Sequence, residues 1–203
     1  MRKHVVTFIQ IHDVWMMLVL VLLSFMVIFT HLASGILWIY ILLGILLYIV
    51  SEYTTHRFFF HMKAPKNKLF LKFMKRIHYD HHDDPDDVKL LFLPIWYSLP
   101  QLGILVGIVT LLTDHISYGL AVFIGSATTL LYYEWSHFVA HHPIQPKTVF
   151  GKWMKKLHLL HHYKNENYWY GVTNPSMDYL FGTMKDGKEV SKSDTARKLE
   201  MKG

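Results

Sequence analysis

The sequence contains no cysteine, and charged residues occupy only 18% of its 203 positions. Without thiols there is no disulfide, no thiolate metal site and no cysteine nucleophile, so any metal must be held by nitrogen and oxygen. The scarcity of charge accompanies 52% hydrophobic residues and a mean hydropathy of +0.20. That balance is too apolar for an ordinary soluble domain and points to the membrane. What charge there is has a net value of +6, which would suit a nucleic-acid partner only if the basic residues formed a stripe on a soluble fold. Instead all 21 Lys and Arg fall in three blocks, at residues 2–3, 57–89 and 147–202. A nucleic-acid partner is therefore not expected.

The gaps between those blocks are long uncharged runs. "VWMMLVLVLLSFMVIFT" (14–30) and "LASGILWIYILLGILLYIV" (32–50) each approach the length that crosses a hydrocarbon core as a helix. A second pair follows, "LLFLPIWYSLPQLGILVGIVTLL" (90–112) and "ISYGLAVFIGSATTLLYY" (116–133). Pro94 and Pro100 interrupt the third run near its start, so that its first residues read as an interfacial segment. Four such runs in one short chain leave too little polar sequence to cover them as a soluble core. The expected fold is an all-α integral membrane protein, with four transmembrane helices in two hairpins and a cytosolic helical cap. The hairpin turns "THLASG" (30–35) and "TDHIS" (113–117) carry no Lys or Arg, which places both termini and the basic middle segment in the cytoplasm. The length gives no reason to expect more than one domain, taken as residues 1–184. The stretch 185–203 is charged and poor in large apolar residues, and reads as a disordered tail.

Histidine is abundant, and its distribution is uneven. Of 15 histidines, 11 lie in four short segments: "HRFFFH" (56–61), "HYDHH" (78–82), "HFVAHH" (137–142) and "HLLHH" (158–162). Positions i, i+3 and i+4 share a helix face, so His78 with His81 and His82, His158 with His161 and His162, and His137 with His141 can each aim at a common point. His56 and His61 are five apart and cannot do so on a regular helix; either the helix ends between them or each serves a different ion. One zinc site takes three or four protein ligands, so ten well-spaced imidazoles suggest two ions with about five ligands each. Imidazole suits Zn, Cu, Fe and Ni alike and does not select the element. His142 follows His141 on a neighbouring face and reads as a backbone-bonded ring; His4, His12, His31 and His115 read as interfacial residues. Glu52 and Glu134, four and three positions before a histidine segment, are carboxylates able to fix ring tautomers, while "DDPDD" (83–87) reads as a solvated turn with a helix start. "YWYG" (168–171) reads as part of an interfacial aromatic belt.

Taken together, "EYTTHRFFFHM" (52–62), "HYDHHDDPDDVKLLFLP" (78–94), "YYEWSHFVAHH" (132–142) and "MKKLHLLHHYKNENYWYGVTNPSMDYLFGT" (154–183) resemble the fatty acid hydroxylase and sterol desaturase superfamily of membrane di-iron enzymes. Within it they are most similar to the catalytic domain of fatty acid 2-hydroxylases, over roughly residues 40–184. The resemblance implies that His56, His61, His78, His81, His82, His137, His141, His158, His161 and His162 bind two iron ions, which zinc can replace in purified protein, with O2 as cosubstrate. Tyr133 and Glu134 stand where that family has a Tyr-Asp pair near the substrate; Glu for Asp is a departure, as is Asn174 after "GVT", where serine is common. The haem-binding cytochrome b domain fused to many eukaryotic relatives has no counterpart in these residues. Electrons are therefore expected from a separate ferredoxin-like or cytochrome b-type carrier, at the plasma membrane if the source is prokaryotic.

The implied reaction is hydroxylation of a lipid acyl chain. The alternatives are a desaturase, a sterol or carotenoid hydroxylase on the same metals, a zinc-dependent membrane hydrolase, and a non-catalytic metal-binding protein. No H-E-x-x-H is present, which counts against the hydrolase.

Overall fold

The computed structural model describes residues 2–202, and among them there is no β-strand. In chain order the α-helices are α1 (Arg2–Ile9), α2 (His12–Ile28), α3 (Ile36–Thr54), α4 (Lys68–Met74), α5 (Asp80–Asp83), α6 (Val88–Leu91), α7 (Ile95–Thr113), α8 (Ile116–His141), α9 (Val149–Tyr163) and α10 (Ser176–Leu180). Two π-helical turns, Thr55–Phe60 and Lys75–Tyr79, continue α3 and α4. Four stretches are long and apolar enough to cross a membrane: His12–Ala33, Ile36–Phe60, Val88–Thr113 and Ile116–His141. Of the two prolines expected to interrupt the third run, Pro94 does so, the chain being extended at Phe92 and Pro94 before α7 begins, whereas Pro100 lies inside α7 without ending it. By contacts the chain forms two compact units, each discontinuous in sequence.

The first unit joins Met1–Val50 to Leu93–Glu134. Its core gathers Ile28, Leu37, Ala121 and Ile124, with Phe25, Tyr40 and Tyr118 packed around them. Helices α3 and α8 approach closely because neither presents a side chain at the crossing. A Cβ on Gly44 would strike the Val122 carbonyl, and one on Gly125 would strike the Ile41 carbonyl. Small residues serve this purpose between apolar helices, where packing rather than water expulsion holds helices together. Ser126 adds a hydroxyl donated to the Gly44 carbonyl at 2.9 Å. Large apolar side chains point outward, as with Leu111 at 85% exposure, a surface that suits lipid and not water. Two acidic residues in this unit hold backbone N–H groups around the start of α7: Asp13 Oδ1 accepts from Ile95 N at 3.0 Å, and Glu134 Oε1 accepts from Leu93 N at 3.0 Å.

The second unit joins Ser51–Phe92 to Trp135–Gly203. Side-chain caps start three of its helices: Asn67 for α4, Asp87 for α6 and Thr148 for α9. "DDPDD" is thus a turn leading into a helix, as read from sequence. A core of Met154, Leu157, Trp169 and Val190 lies under α9. Two expectations fail here. "YWYG" is no surface belt, since Trp169 is fully buried and Tyr170 nearly so, with Trp169 held at φ 57° by bonds to Thr183 and Lys185. The segment after residue 184 is not a loose tail either. Although mostly polar, it buries Val190, Ala196 and Leu199, and Ser193 N donates to Lys164 O at 2.7 Å.

Candidate metal centre

The ten histidines singled out by spacing all lie buried in the structure, and they come together as two groups of five. His56, His61, His78, His82 and His161 form the first; His81, His137, His141, His158 and His162 form the second, all within the second unit. In each group one ring nitrogen per histidine lies within 4.8 Å of all the others. His61 Nε2 is central to the first group, 3.2 Å from His56 Nε2, 2.9 Å from His78 Nε2 and 3.0 Å from His161 Nε2. In the second, His137 Nε2 is 2.8 Å from His81 Nε2, and His141 Nε2 is 2.8 Å from His158 Nε2. The groups meet where the rings of His82 and His162 stack at 4.0 Å.

Helical spacing accounts for part of this arrangement and misjudges another part. The triads do not act as units: His78 and His82 go to the first group but His81 to the second, while His158 and His162 go to the second but His161 to the first. Members four apart stay together and the odd member crosses over. His56 and His61 were expected either to be separated by a helix end or to serve different ions; the helix does end at Phe60, between them, and both rings join one group. The π turn Thr55–Phe60 brings i and i+5 to one side, with His61 N bonded to His56 O at 3.2 Å, so both rings enter the first group.

The chemistry of the donor set fits a metal. A neutral imidazole offers one lone pair and one N–H, so five converging ring nitrogens cannot all satisfy one another. Burial holds His61, His78, His81, His82, His158, His161 and His162 well below the ordinary imidazole pKa of 6.5, and repulsion between the rings adds to it. Neutral rings are the form that binds cations. The spacing agrees as well, because ligands at right angles with bonds of about 2.1 Å lie about 3 Å apart. Several rings are also oriented from outside. His56 Nδ1 donates to Tyr170 O at 2.5 Å, His161 Nδ1 to Tyr168 O at 2.7 Å and His82 Nδ1 to Ala196 O at 2.7 Å. These bonds leave each Nε2 lone pair facing inward.

Sequence reading missed these backbone acceptors, since a carbonyl leaves no trace in residue identity. It also set Glu52 to fix a ring tautomer, whereas its carboxylate holds the backbone at Val172 and Thr173. Its Oε1 accepts from Val172 N and Thr173 N at 2.7 and 2.9 Å, and its Oε2 accepts from the Thr173 hydroxyl at 2.6 Å. Asp178, not singled out by sequence, accepts from Tyr170 N and Gly171 N at 2.9 and 2.8 Å. Four successive N–H groups of the loop bearing the Tyr168 and Tyr170 carbonyls are thus held by two buried carboxylates. His142 stands outside both groups, its ring 4.0 Å from that of Phe138. Tyr133 and Glu134 are buried in the first unit, the Glu134 carboxylate accepting from Leu93 N and its Oε2 meeting no donor among the described residues.

Four membrane-length spans and two buried five-histidine groups able to hold metal ions are the marks of an integral-membrane protein with a candidate metal centre. The family is equally plain: residues 41–183 match the fatty acid hydroxylase family model, and the chain belongs to that family. It is 31% identical over 155 residues to the ceramide very long chain fatty acid hydroxylase scs7 of Schizosaccharomyces pombe, covering 71% of this chain and 42% of that protein. It is likewise 31% identical over 144 residues to mouse fatty acid 2-hydroxylase, covering 70% of this chain and 38% of that one. The solved structure of full-length scs7p, with only its hydroxylase domain visible, superposes with a TM-score of 0.78 at 26% identity, covering 87% of this chain and 66% of that one. The chain spans about two fifths of the length of the yeast and mouse relatives.

Proposed function

We propose that this chain is a membrane-bound lipid hydroxylase that places a hydroxyl group on an acyl chain, at the carbon next to the carboxyl group. The observation that carries this reading is the pair of buried five-imidazole groups, of a composition that holds metal and little else. The ten histidines are its ligands, five to each of two iron ions. When bound, iron supplies the one-electron and oxygen chemistry that attack on an unactivated methylene requires and that side chains lack. With O2 as oxidant, one oxygen atom enters the C–H bond and the other leaves as water, with two electrons and two protons supplied from outside.

The residues of the chain do the rest. Carbonyls of Tyr168, Tyr170 and Ala196 orient the rings and fix their tautomers. Burial of the histidines excludes water from the centre. Tyr133 and Glu134 meet the substrate, a role supported by the family pattern and by the buried, partly unsatisfied Glu134 carboxylate. A lipid substrate is supported by the four membrane-length spans and by relatives named for fatty acids and ceramides. The charge distribution supports a cytoplasmic centre with cytoplasmic termini, supplied with electrons by a ferredoxin-like or cytochrome b-type carrier.

The test is expression in a host lacking hydroxylated lipids, followed by lipid mass spectrometry, with His81→Ala as control. A new 2-hydroxy acyl species present only with the unaltered chain is expected. Loss of two hydrogens instead of gain of one oxygen would make it a desaturase, and identical lipids from both chains would remove the enzymatic reading.

A further inference from the structure

The two histidine groups are built alike in number and composition but not in support. In the first, three of five rings have Nδ1 bonded to a backbone carbonyl: His56 to Tyr170, His161 to Tyr168 and His82 to Ala196. In the second, one ring, His137, has a backbone hydrogen bond, to Leu91, while Nδ1 of His81, His141, His158 and His162 meets no acceptor among the described residues. A ring whose outer nitrogen is committed to a carbonyl is locked in rotation and tautomer before an ion arrives; one without such a partner must be ordered by the ion itself.

The supporting carbonyls are themselves fastened. Asp178 holds the N–H groups of Tyr170 and Gly171, and Trp169 N donates to Thr183 O at 3.2 Å. Ala196 lies in a strap formed by the C-terminal segment. Next to it the Thr195 hydroxyl donates to the buried carboxylate of Glu166 at 2.6 Å, and Asn165 Nδ2 donates to Ser191 O at 3.1 Å. On its other side Arg197 donates through Nε to His82 O at 2.7 Å and through Nη2 to Asp83 O, with its guanidinium 5.0 Å from the Tyr163 ring centre. The strap therefore grips His82 twice, by ring and by backbone.

We infer that the two ion sites are unequal, and that the first group, pinned by the Tyr168–Tyr170 loop and the C-terminal strap, is the tighter. This rests on the dimetal reading above. Arg197 is then a positioning residue for the first site, although it touches no ligand nitrogen. Loss of an outer partner of a ligating histidine typically weakens metal binding about 10–100-fold, which sets the scale of the difference.

The experiment uses the full chain, purified in detergent and loaded with zinc, and follows zinc content against increasing EDTA while far-UV circular dichroism monitors helix content. The unaltered chain is expected to lose zinc in two steps, one ion each, separated by about tenfold or more in chelator. His158→Ala should retain only the resistant ion and His61→Ala only the labile one. Arg197→Ala should move the resistant step toward the labile one without shifting the latter. A single two-ion step, or a resistant ion that survives in His61→Ala, overturns the inference while leaving two sites intact. Zinc content unchanged by either histidine variant would remove the dimetal reading and this inference with it.

Discussion

His56 and His61 stand five residues apart, yet their Nε2 atoms are 3.2 Å from each other, because the backbone between them makes one π turn. On an α-helix the residues that share a face are four apart. Deleting Phe58, which is 60% exposed and contributes little packing, should turn the π turn into an α turn with the two histidines four apart. Inserting one alanine after Phe58 puts them six apart, about 120° away from each other around a regular helix. Metal analysis of the purified variants checks this: two ions should persist in the deletion and one should be lost from the insertion. Equal loss in both would mean that the π turn serves some other purpose.

Lys155 gathers the end of α8. Its Nζ donates to the carbonyls of Val139, His142 and Ile144 at 2.8, 2.8 and 2.9 Å, satisfying acceptors that a helix terminus leaves free. Lys155→Met keeps the aliphatic stem and removes the donors. The expected cost is about 1–3 kcal/mol, read as a lower thermal midpoint in detergent. Lys155→Arg should not restore it, because a planar guanidinium cannot converge on three carbonyls as an ammonium does. A midpoint equal to that of the unaltered chain would show the three bonds to be incidental.

Much of this molecule is legible in its residues, though unevenly. The four spans follow from uncharged runs long enough to cross a bilayer, and the ten clustered histidines follow from their density and spacing. Spacing reports which residues share a face, not which of two nearby centres each will reach, so the crossing over of His81 and His161 was hidden. The π turns were hidden for a related reason, as nothing in "THRFFF" or "KRIHY" distinguishes them from α-helix by propensity. The C-terminal strap was misread because its polar composition suggested solvent, whereas only three apolar residues, Val190, Ala196 and Leu199, are needed to seat it. Backbone carbonyls that orient rings cannot be read from side-chain identity at all.

Acid should unfold the metal-free protein early. Seven of the clustered histidines have pKa values held well below 6.5 in the fold, by burial first, whereas in the unfolded chain they return to about 6.5. The unfolded state therefore binds more protons below that pH, and stability declines as pH falls through it. Thermal midpoints of metal-free protein should be level from pH 8 to 7 and should drop steadily from about pH 6.5 to 5. Saturating zinc should shift the decline to lower pH, since an ion competes with protons for the same nitrogens. A midpoint that stays flat to pH 5 in the metal-free form would mean that these rings are not buried neutral.

Asp178 ties the fold to the site. Only 1% exposed, it accepts from the backbone of Tyr170 and Gly171 and from the Thr183 hydroxyl at 2.6 Å, and Tyr170 in turn presents the carbonyl that orients His56. Asp178→Ala strands two buried N–H groups, each at a cost of about 1–3 kcal/mol. Asp178→Asn keeps one acceptor but turns an amide N–H2 toward a donor, so it should fall between the two. Glu52, holding Val172 and Thr173, remains in place in both variants and keeps the far end of the loop anchored. A loosened Tyr170 carbonyl should also weaken ion binding at the first group, so the rise in midpoint on adding zinc should shrink in the order unaltered chain, Asn, Ala. If Asp178→Ala lowers the metal-free midpoint yet gains as much from zinc as the unaltered chain, the carboxylate supports the loop without supporting the ligand.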